Sequence, residues 1–486
     1  MNSTFRRNIL FMSLFSPSLY AEPQSSFSYE GKSYFVQSSG IRVLEKDQVT
    51  EFEVNTKVIS VKPKSTYQSA EVNNYLSQQN LTVLRVASTG FMDIDVSSRG
   101  DFQTVLFELV NSGLFDVVEP TTYGRYGFVP NDTQYASQWH LPQVHAPDAW
   151  DLTSGAASVV VAVLDSGTEF THDDLGSGSD GYQNVWLNAG EDAWSDPDDP
   201  TTGNGIDDDG NGFVDDWKGY NFDLGTNDSS GLFYHGTAVA GMVAAKTNNN
   251  LGVAGVAGGN NSAGVSIMIG NIGVNSPNGS VLDDAILYAA AQGARIVQMS
   301  LTVGSSAAID AAIDDVYNNH GVLVVNAAGN SATNFVGYPA SHPNVMAVGA
   351  TNQVDSKVSF SQYGPNLEIA APGVDMLMPT TGNGYTTSDG TSFSAPLVSG
   401  VAGLVFSRHP TLSNIQVREI LIQSADKVGG YDYNHDLSDP GRSLELGYGR
   451  VNAESALLLS DLYAPFNGLI FKDGFEGDVI FVDGFE

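Results

Sequence analysis

From about residue 130 to about residue 460 the chain alternates short, almost wholly apolar runs with Ala- and Gly-rich segments of helical period. The runs at residues 159–164, 265–269, 296–301, 322–326 and 345–348 lack a polar face, as strands buried on both sides do. Between them, residues 236–246, 281–292, 307–319 and 391–406 space their apolar positions as helices do. Strands of this kind separated by helices predict an α/β fold, a doubly wound and mostly parallel sheet with helices on both faces.

The first part of the chain has a different texture. Residues 57–62, 81–86 and 91–96 place apolar side chains mainly at alternate positions, which predicts half-buried strands, and residues 101–112 have helical spacing. Residues 22–125 therefore read as a small α+β unit. A Pro- and Gly-containing stretch without periodicity, residues 119–134 (EPTTYGRYGFVPNDTQ), reads as a linker to the larger unit at 126–460. In the tail, 461–486, the heptapeptide IFKDGFE at 470–476 recurs as IFVDGFE at 480–486. Two copies of seven residues cannot bury a core of their own. Two readings of that tail stand: a tag for export or surface handling, and a hairpin docked on the preceding unit.

At the other end, Arg6 and Arg7 precede a mostly apolar run at residues 9–20, followed by Ala21-Glu22-Pro23. The run is too short to span a bilayer, and the pattern predicts a signal peptide over residues 1–21 and a secreted protein, with the periplasm or cell surface as further destinations. The paired arginines leave the twin-arginine route open beside the general one. No later run reaches eighteen apolar residues, so no membrane span is expected.

Composition narrows the chemistry. The 486 residues carry 21 Lys and Arg against 55 Asp and Glu, a net charge of −34, which argues against nucleic acid as a partner because phosphate binding needs clustered cations. With 42% hydrophobic residues the acidity belongs to a globular protein, not to a disordered polyelectrolyte. Cysteine is absent, which excludes disulfides, thiolate zinc sites and a thiol nucleophile. The charge is unevenly spread: residues 22–125 hold 9 basic and 13 acidic side chains, whereas residues 126–486 hold 10 and 42. Residues 165–228 alone hold 17 acidic side chains against Lys218.

Three segments carry candidate chemistry. Asp165 ends a buried strand (VVVAVLDSG), where open parallel sheets bind ligands, although a strand-ending Asp before Ser-Gly also suits a turn. His235 opens a helix of small residues (HGTAVAG), where it could equally be a structural hydrogen-bonder. Ser392 stands at the entrance to a long apolar helix (GTSFSAP), with Pro396 in its first turn. A hydroxyl there lies beside free N–H groups and the positive end of the helix dipole, which suits a nucleophile that must generate an oxyanion, and also suits a plain N-cap.

Taken together and in this order, Asp165, His235 and Ser392 resemble the catalytic triad of the subtilisin-like serine proteases. The resemblance covers roughly residues 130–460. VVNAAGN at 324–330 is similar to the strand and turn presenting the oxyanion-hole amide, here Asn330; VGYP at 336–339 and NVMAVG at 344–349 resemble the segment that follows. GYGRVNA at 447–453 resembles the closing motif. Two departures stand out. Ala238 replaces a second His common in the HGTH motif, and Ser300-Leu301-Thr302 replaces Ser-Leu-Gly beside the substrate cleft. The resemblance implies a serine endopeptidase acting on protein or peptide substrates through an acyl-enzyme. It also implies that residues 22–125 are a propeptide serving as intramolecular inhibitor and folding aid, cut off near residues 123–134. Around the implied specificity pocket, Ala327, Ala328, Gly329 and Gly337 are small and uncharged, so a bulky apolar or aromatic residue is expected before the scissile bond. A catalytically silent calcium-dependent surface protein and an esterase are the competing classes.

Calcium enters twice. Asp207, Asp209 and Asn211 at alternate positions, with Gly212 and the Phe213 carbonyl, match the first half of an EF-hand-type loop. The twelfth position is Lys218, so Asp215 or Asp216 must complete the set. The resemblance implies a second Ca2+ site from Asp174, Asn249 and the carbonyls of Leu251 and Val253.

Overall fold

The computed structural model describes residues 25–29, 32–37, 40–45, 48–99, 101–122, 128–176, 182–231, 233–434 and 440–463, with side chains from Val54 onward except that of Leu462. The expected signal peptide, the first part (123–127) of the expected cleavage stretch at 123–134 and the heptapeptide repeats lie outside the described residues. The chain divides into two units, Met1–Gly124 and Arg125–Glu486.

In the first unit, β1 (Ser25–Tyr29), β2 (Lys32–Gln37), β3 (Gly40–Glu45) and the long β4 (Gln48–Pro63) form an antiparallel meander. The second half of β4 then serves another partner set: α1 (Ser69–Gln78), β5 (Thr82–Val86), β6 (Met92–Asp95), α2 (Phe102–Asn111) and β7 (Phe115–Thr122) follow. Strand β4 pairs with both β6 and β7, and β5 pairs with β6, all antiparallel, giving a β-α-β-β-α-β arrangement. Ile59, Val61, Leu76, Ile94, Leu106 and Leu109 form its core. Asp101 caps α2 by accepting the Thr104 N–H at 3.4 Å. The expected strand at 57–62 falls inside β4, and those at 81–86 and 91–96 and the helix at 101–112 match β5, β6 and α2 to within one residue at each end. The expected linker is shorter than predicted, because Glu119–Thr122 continue β7, and Phe128 packs edge-on against Trp150 of the second unit at 5.8 Å.

The second unit opens with α3 (His140–Gln143) and α4 (Ala146–Trp150) and continues with β8 (Val160–Asp165), β9 (Tyr220–Asn221), α5 (Tyr234–Ala244), β10 (Ser266–Asn271), α6 (Leu282–Ala291), β11 (Ile296–Met299), α7 (Ala307–Asn318), β12 (Leu323–Ala327), β13 (Val345–Thr351) and β14 (Ile369–Pro372). A hairpin, β15 (Met376–Thr380) and β16 (Gly384–Ser388), leads into α8 (Thr391–Arg408), α9 (Asn414–Gln423) and α10 (Ala453–Tyr463). The main sheet runs β14-β13-β12-β11-β8-β10-β9, and every pairing in it is parallel.

Successive side chains of a strand face opposite sides, and β8 shows where each side goes. Val161 and Val163 join the core formed with α5 and α8, while Val160, Ala162 and Leu164 join the core formed with α6 and α7. The fold is therefore α/β with helices on both faces, as the apolar runs predicted. Gly400 lets the buried α8 lie close: a Cβ there would stand 2.6 Å from Val256 Cβ.

Candidate active site

Asp165 sits at the carboxyl end of the central strand β8, and His235 is the second residue of α5. Two contacts bind the turn after β8 to that helix. The Gly236 N–H donates to Ser166 Oγ at 3.0 Å, and the Glu169 N–H donates to Thr237 Oγ1 at 2.9 Å. Gly236 has no room for a side chain, since a Cβ would approach Gly167 O to 2.0 Å. Held this way, His235 Nδ1 lies 2.8 Å from Asp165 Oδ1 and 3.0 Å from Oδ2. Burial pulls the proton affinity of the ring down, but the Asp165 charge and hydrogen bond outweigh it, so the His235 pKa is raised. Ala238, which stands where a second His is common in the HGTH motif, is wholly buried in the core.

Ser392 is the second residue of α8. Its Oγ donates to the Ser300 carbonyl at 3.4 Å, and Ser300 Oγ donates to the Ser392 carbonyl at 2.7 Å. The next residue, Phe393, brings its ring to 5.6 Å from that of His235. Asn330 is oriented from the same helix terminus: its Oδ1 accepts the Thr391 N–H at 3.0 Å and the Thr391 hydroxyl at 2.9 Å. With the oxygen so engaged, the Nδ2 group is left for another acceptor. Gly329 has a φ of 109°, and a Cβ there would collide with Gln362 Oε1.

The predicted wall segments lie side by side. Val303 N–H donates to Tyr338 O at 3.0 Å and Gly337 N–H to Ala328 O at 2.8 Å, so residues 300–303, 327–329 and 337–338 form adjoining strips. Buried Asn326 secures the first strip, accepting the Leu301 N–H at 3.2 Å and donating to the Leu301 carbonyl at 3.1 Å. Thr302 fills space beside Gly337, where a Cβ would stand 2.9 Å from Thr302 Oγ1. Ala327 and Ala328 turn their side chains into apolar cores.

A cavity of about 260 Å³ opens on Asp165 and His235 and takes in Ser300, Leu301 and Thr302, but not Ala327, Ala328, Gly329 or Gly337. Its remaining wall is Ser166, Phe233 and the segment from Ile272 to Pro277; the sequence singled out neither Phe233 nor that segment. Phe233 stacks with its plane 11° from that of His235 at 6.4 Å. The loop after β10 has no local signature; it matters because β10 lies next to β8 in the sheet.

The expected calcium ligands are regrouped by the structure. Asp209 and Asp216 come together with Glu191, a residue the sequence reading passed over, with one oxygen of each within 4.8 Å of the others. Asp207 instead accepts the Asn211 and Gly212 N–H groups at 3.0 and 2.9 Å. Asp215 packs on Gly203 and accepts the Gly205 N–H at 2.9 Å. Asn211 uses its oxygen for the Phe213 N–H, and the Phe213 ring joins Tyr220, Phe222 and Tyr288. Lys218 is buried and donates to Pro197 O at 2.6 Å. At the second loop, buried Asp174 accepts from Asn249 Nδ2 at 3.0 Å, the Val253 N–H at 2.9 Å and Tyr385 Oη at 2.9 Å, while Asn249 Oδ1 accepts the Leu251 N–H at 2.9 Å. Asp132, read as linker in the sequence, is buried nearby in charge terms. Burial above all, with the Asp174 charge adding, pushes its carboxyl up to about 6 despite the Asn248 N–H, and its Oδ1 has no partner. An orphaned buried oxygen beside a second buried acid fits a hard cation.

A sheet with an Asp–His pair at its carboxyl edge and a serine at a facing helix terminus defines a hydrolase of the serine-protease class. A profile of the subtilase family matches residues 156–449, and the chain belongs to that family, as a subtilisin-like serine endopeptidase. It is 34% identical over 360 residues to a thermophilic serine proteinase of Bacillus sp. (strain AK1), covering 74% of this chain and 76% of that one. It is 34% identical to thermitase of Thermoactinomyces vulgaris, over 62% of this chain and 94% of that one. Against the halolysin-like extracellular serine protease Nep of Natrialba magadii the identity is 37%, over 68% of this chain and 53% of the relative.

Proposed function

We propose that the chain is a secreted serine endopeptidase in which Asp165, His235 and Ser392 act as the triad and Asn330 as an oxyanion donor. The observation that carries this reading is the Asp165–His235 pair at 2.8 Å, which raises the basicity of a partly buried imidazole beside the Ser392 helix terminus. Asp165 occupies Nδ1 and so fixes the tautomer in which Nε2 accepts a proton. Ser392 Oγ attacks the peptide carbonyl carbon as its proton passes to His235 Nε2. The Asn330 amide and the Ser392 N–H stabilise the negative oxygen, each such donor contributing about 3 kcal/mol. His235 then gives the proton to the leaving amine as the C–N bond breaks, and water repeats the sequence on the acyl-enzyme.

The adjoining strips at 300–303, 327–329 and 337–338, with no charged side chain among them, support a preference for bulky apolar or aromatic residues before the scissile bond. The compact unit ending at Gly124 serves as propeptide and intramolecular inhibitor. Calcium serves as a stabilising ion at the Asp174 loop, where Asp132 joins Asp174, Asn249 and the carbonyls of Leu251 and Val253 around it. The extracellular relative and the leader-like first 21 residues support secretion. Casein hydrolysis and the intact mass of secreted protein, compared between wild type and Ser392→Ala, test the reading. Loss of hydrolysis with accumulation of the uncut precursor is expected. Equal hydrolysis in both would sink the mechanism.

A further inference from the structure

A buried hydrogen-bond chain runs behind the Ser392 helix terminus, and two of its members, Gln298 and Ser399, have no part in the chemistry proposed above. Gln298 of β11 and Ser399 of α8 are both wholly buried. The chain ends on the Ser392 carbonyl. In an α-helix such an oxygen is paired by the N–H four residues on, and here that residue is Pro396, which has no N–H. Ser300 Oγ supplies a donor instead, reaching the Ser392 carbonyl at 2.7 Å.

The direction of each bond in the chain is set by the groups at its ends. The Gln298 side-chain amide stands 3.0 Å from the Met299 carbonyl and 3.0 Å from Ser300 Oγ. A carbonyl oxygen can only accept, so the atom facing it is Nε2, and the second Nε2 proton points at Ser300 Oγ. Ser300 therefore accepts from Gln298, and its own proton is left for the Ser392 carbonyl. On the other side, Gln298 Oε1 accepts the hydroxyl of Ser399. Ser399 follows Ser392 by seven residues, about two turns of the same helix. The chain thus leaves α8, passes through the end of β11 and returns to α8 at its first turn.

We propose that Gln298 is a positioning residue for the nucleophile, a role that rests on the reading of Ser392 as that nucleophile and deepens it. Gln298 orients the Ser300 hydroxyl, and the hydroxyl fixes the Ser392 peptide where proline leaves its carbonyl without the usual helical donor. Ser392 supplies both the attacking Oγ and the N–H offered to the oxyanion, so a tilt of the first turn of α8 moves both away from the reacting carbonyl. A displacement of about 1 Å at such a site costs about a hundredfold in rate. Substrate binding is secured separately, because buried Asn326 holds both the N–H and the carbonyl of Leu301. Loss of the Gln298 amide therefore lowers kcat and leaves KM nearly alone.

The test measures kcat and KM on a peptide substrate for the secreted wild-type protein, Gln298→Met, Ser300→Ala and the double variant. Active serine is counted with a fluorophosphonate, so misfolded protein does not enter kcat. Methionine matches glutamine in length and brings no donor. Gln298→Met and Ser300→Ala are each expected to lower kcat about tenfold with KM within about twofold. The double variant is expected to lose about tenfold as well, because the first residue acts only through the second. A purely structural Gln298 would lower Tm with kcat per active serine unchanged, or would multiply with Ser300→Ala to a loss of about a hundredfold. Either result overturns the proposal. Where Gln298→Met does not fold, Ser399→Ala removes the donor to Gln298 Oε1 and leaves the packing nearly intact. A fall in kcat of about threefold that disappears in the Ser300→Ala background supports the chain, and an unchanged kcat overturns it. Ser392→Ala runs alongside. Hydrolysis equal to wild type there removes the nucleophile reading and this role with it, whereas hydrolysis lost there but unchanged in Gln298→Met removes this role alone.

Discussion

His235 is subject to two opposed effects. Burial favours the neutral ring, and the Asp165 carboxylate at 2.8 Å favours the charged one and prevails. In the proposed mechanism, the base form that takes the Ser392 proton is thus lost at a higher pH than an ordinary histidine would lose it. The acid limb of kcat/KM is expected to lie above the usual histidine value. In Asp165→Asn, burial acts alone, so the limb moves to lower pH while kcat falls about 10⁴-fold. A pH profile of both proteins checks this; a limb that stays put in the variant would show that another group titrates. Thr302 offers a second residue-level expectation. Its side chain takes up the space beside Gly337, 2.9 Å from where a Cβ there would stand. Thr302→Gly is therefore expected to raise kcat/KM for Phe or Tyr before the scissile bond about tenfold over Ala, because each methylene-sized change in such a pocket shifts discrimination by about 1–3 kcal/mol. A peptide panel showing the same ranking in both proteins would remove Thr302 from that wall.

At the scale of elements, the last helix is attached by charge. Asp461 of α10 accepts from Arg408 Nε at 2.6 Å and Nη2 at 2.8 Å and meets His409 Nε2 at 2.7 Å, at the end of α8. Burial raises the carboxyl's pKa, but these partners together hold it down to about 2. A depressed carboxylate stabilises the fold above its unfolded pKa, near 4, and loses that contribution as pH falls through about 2. Asp461→Asn is expected to cost about 1–2 kcal/mol at neutral pH, with the gap closing as pH drops below about 4. Urea unfolding of both proteins at several pH values measures it, and a gap independent of pH would contradict the ion-pair account. The elements themselves were unevenly legible. β8, β10, β11, β12 and β13 announce themselves because both their faces are buried and the sequence has no polar alternation to blur them. α5 and α8 are buried nearly all round, so small residues, not an amphipathic stripe, mark them. β9 has two residues and β16 is half-exposed, too little pattern to read. The same holds for the sites. Asp165, His235, Ser392 and Asn330 carry recognisable neighbours. Glu191 and Asp132 carry none, since each joins its acidic partners only through tertiary folding.

For the whole molecule, the uneven charge has a physical consequence that the two units do not share. Residues 22–125 are nearly balanced, whereas residues 126–486 carry a net −32, half of it between Asp165 and Asp228. Like charge at this density destabilises a compact state through self-repulsion, and two separate agents can relieve it. Calcium, as proposed for the Asp174 loop, would act locally, where Asp132 and Asp174 are buried. Monovalent salt acts over the whole surface by shortening the screening length from about 30 Å at 0.01 M to about 10 Å at 0.1 M. The two contributions should therefore separate in one experiment on the Ser392→Ala protein, where autolysis cannot interfere. The Tm in EGTA is expected to rise as sodium chloride increases from about 0.01 to about 1 M, because screening does not need the ion sites. Added calcium is expected to raise Tm further at every salt concentration, by a margin that shrinks little with salt, since the buried acids are poorly reached by diffuse counterions. A Tm flat in salt would mean that the surface charge is already spaced widely enough to be harmless. A calcium increment that vanishes at high salt would mean that calcium acts as one more screening cation, not as a bound ligand.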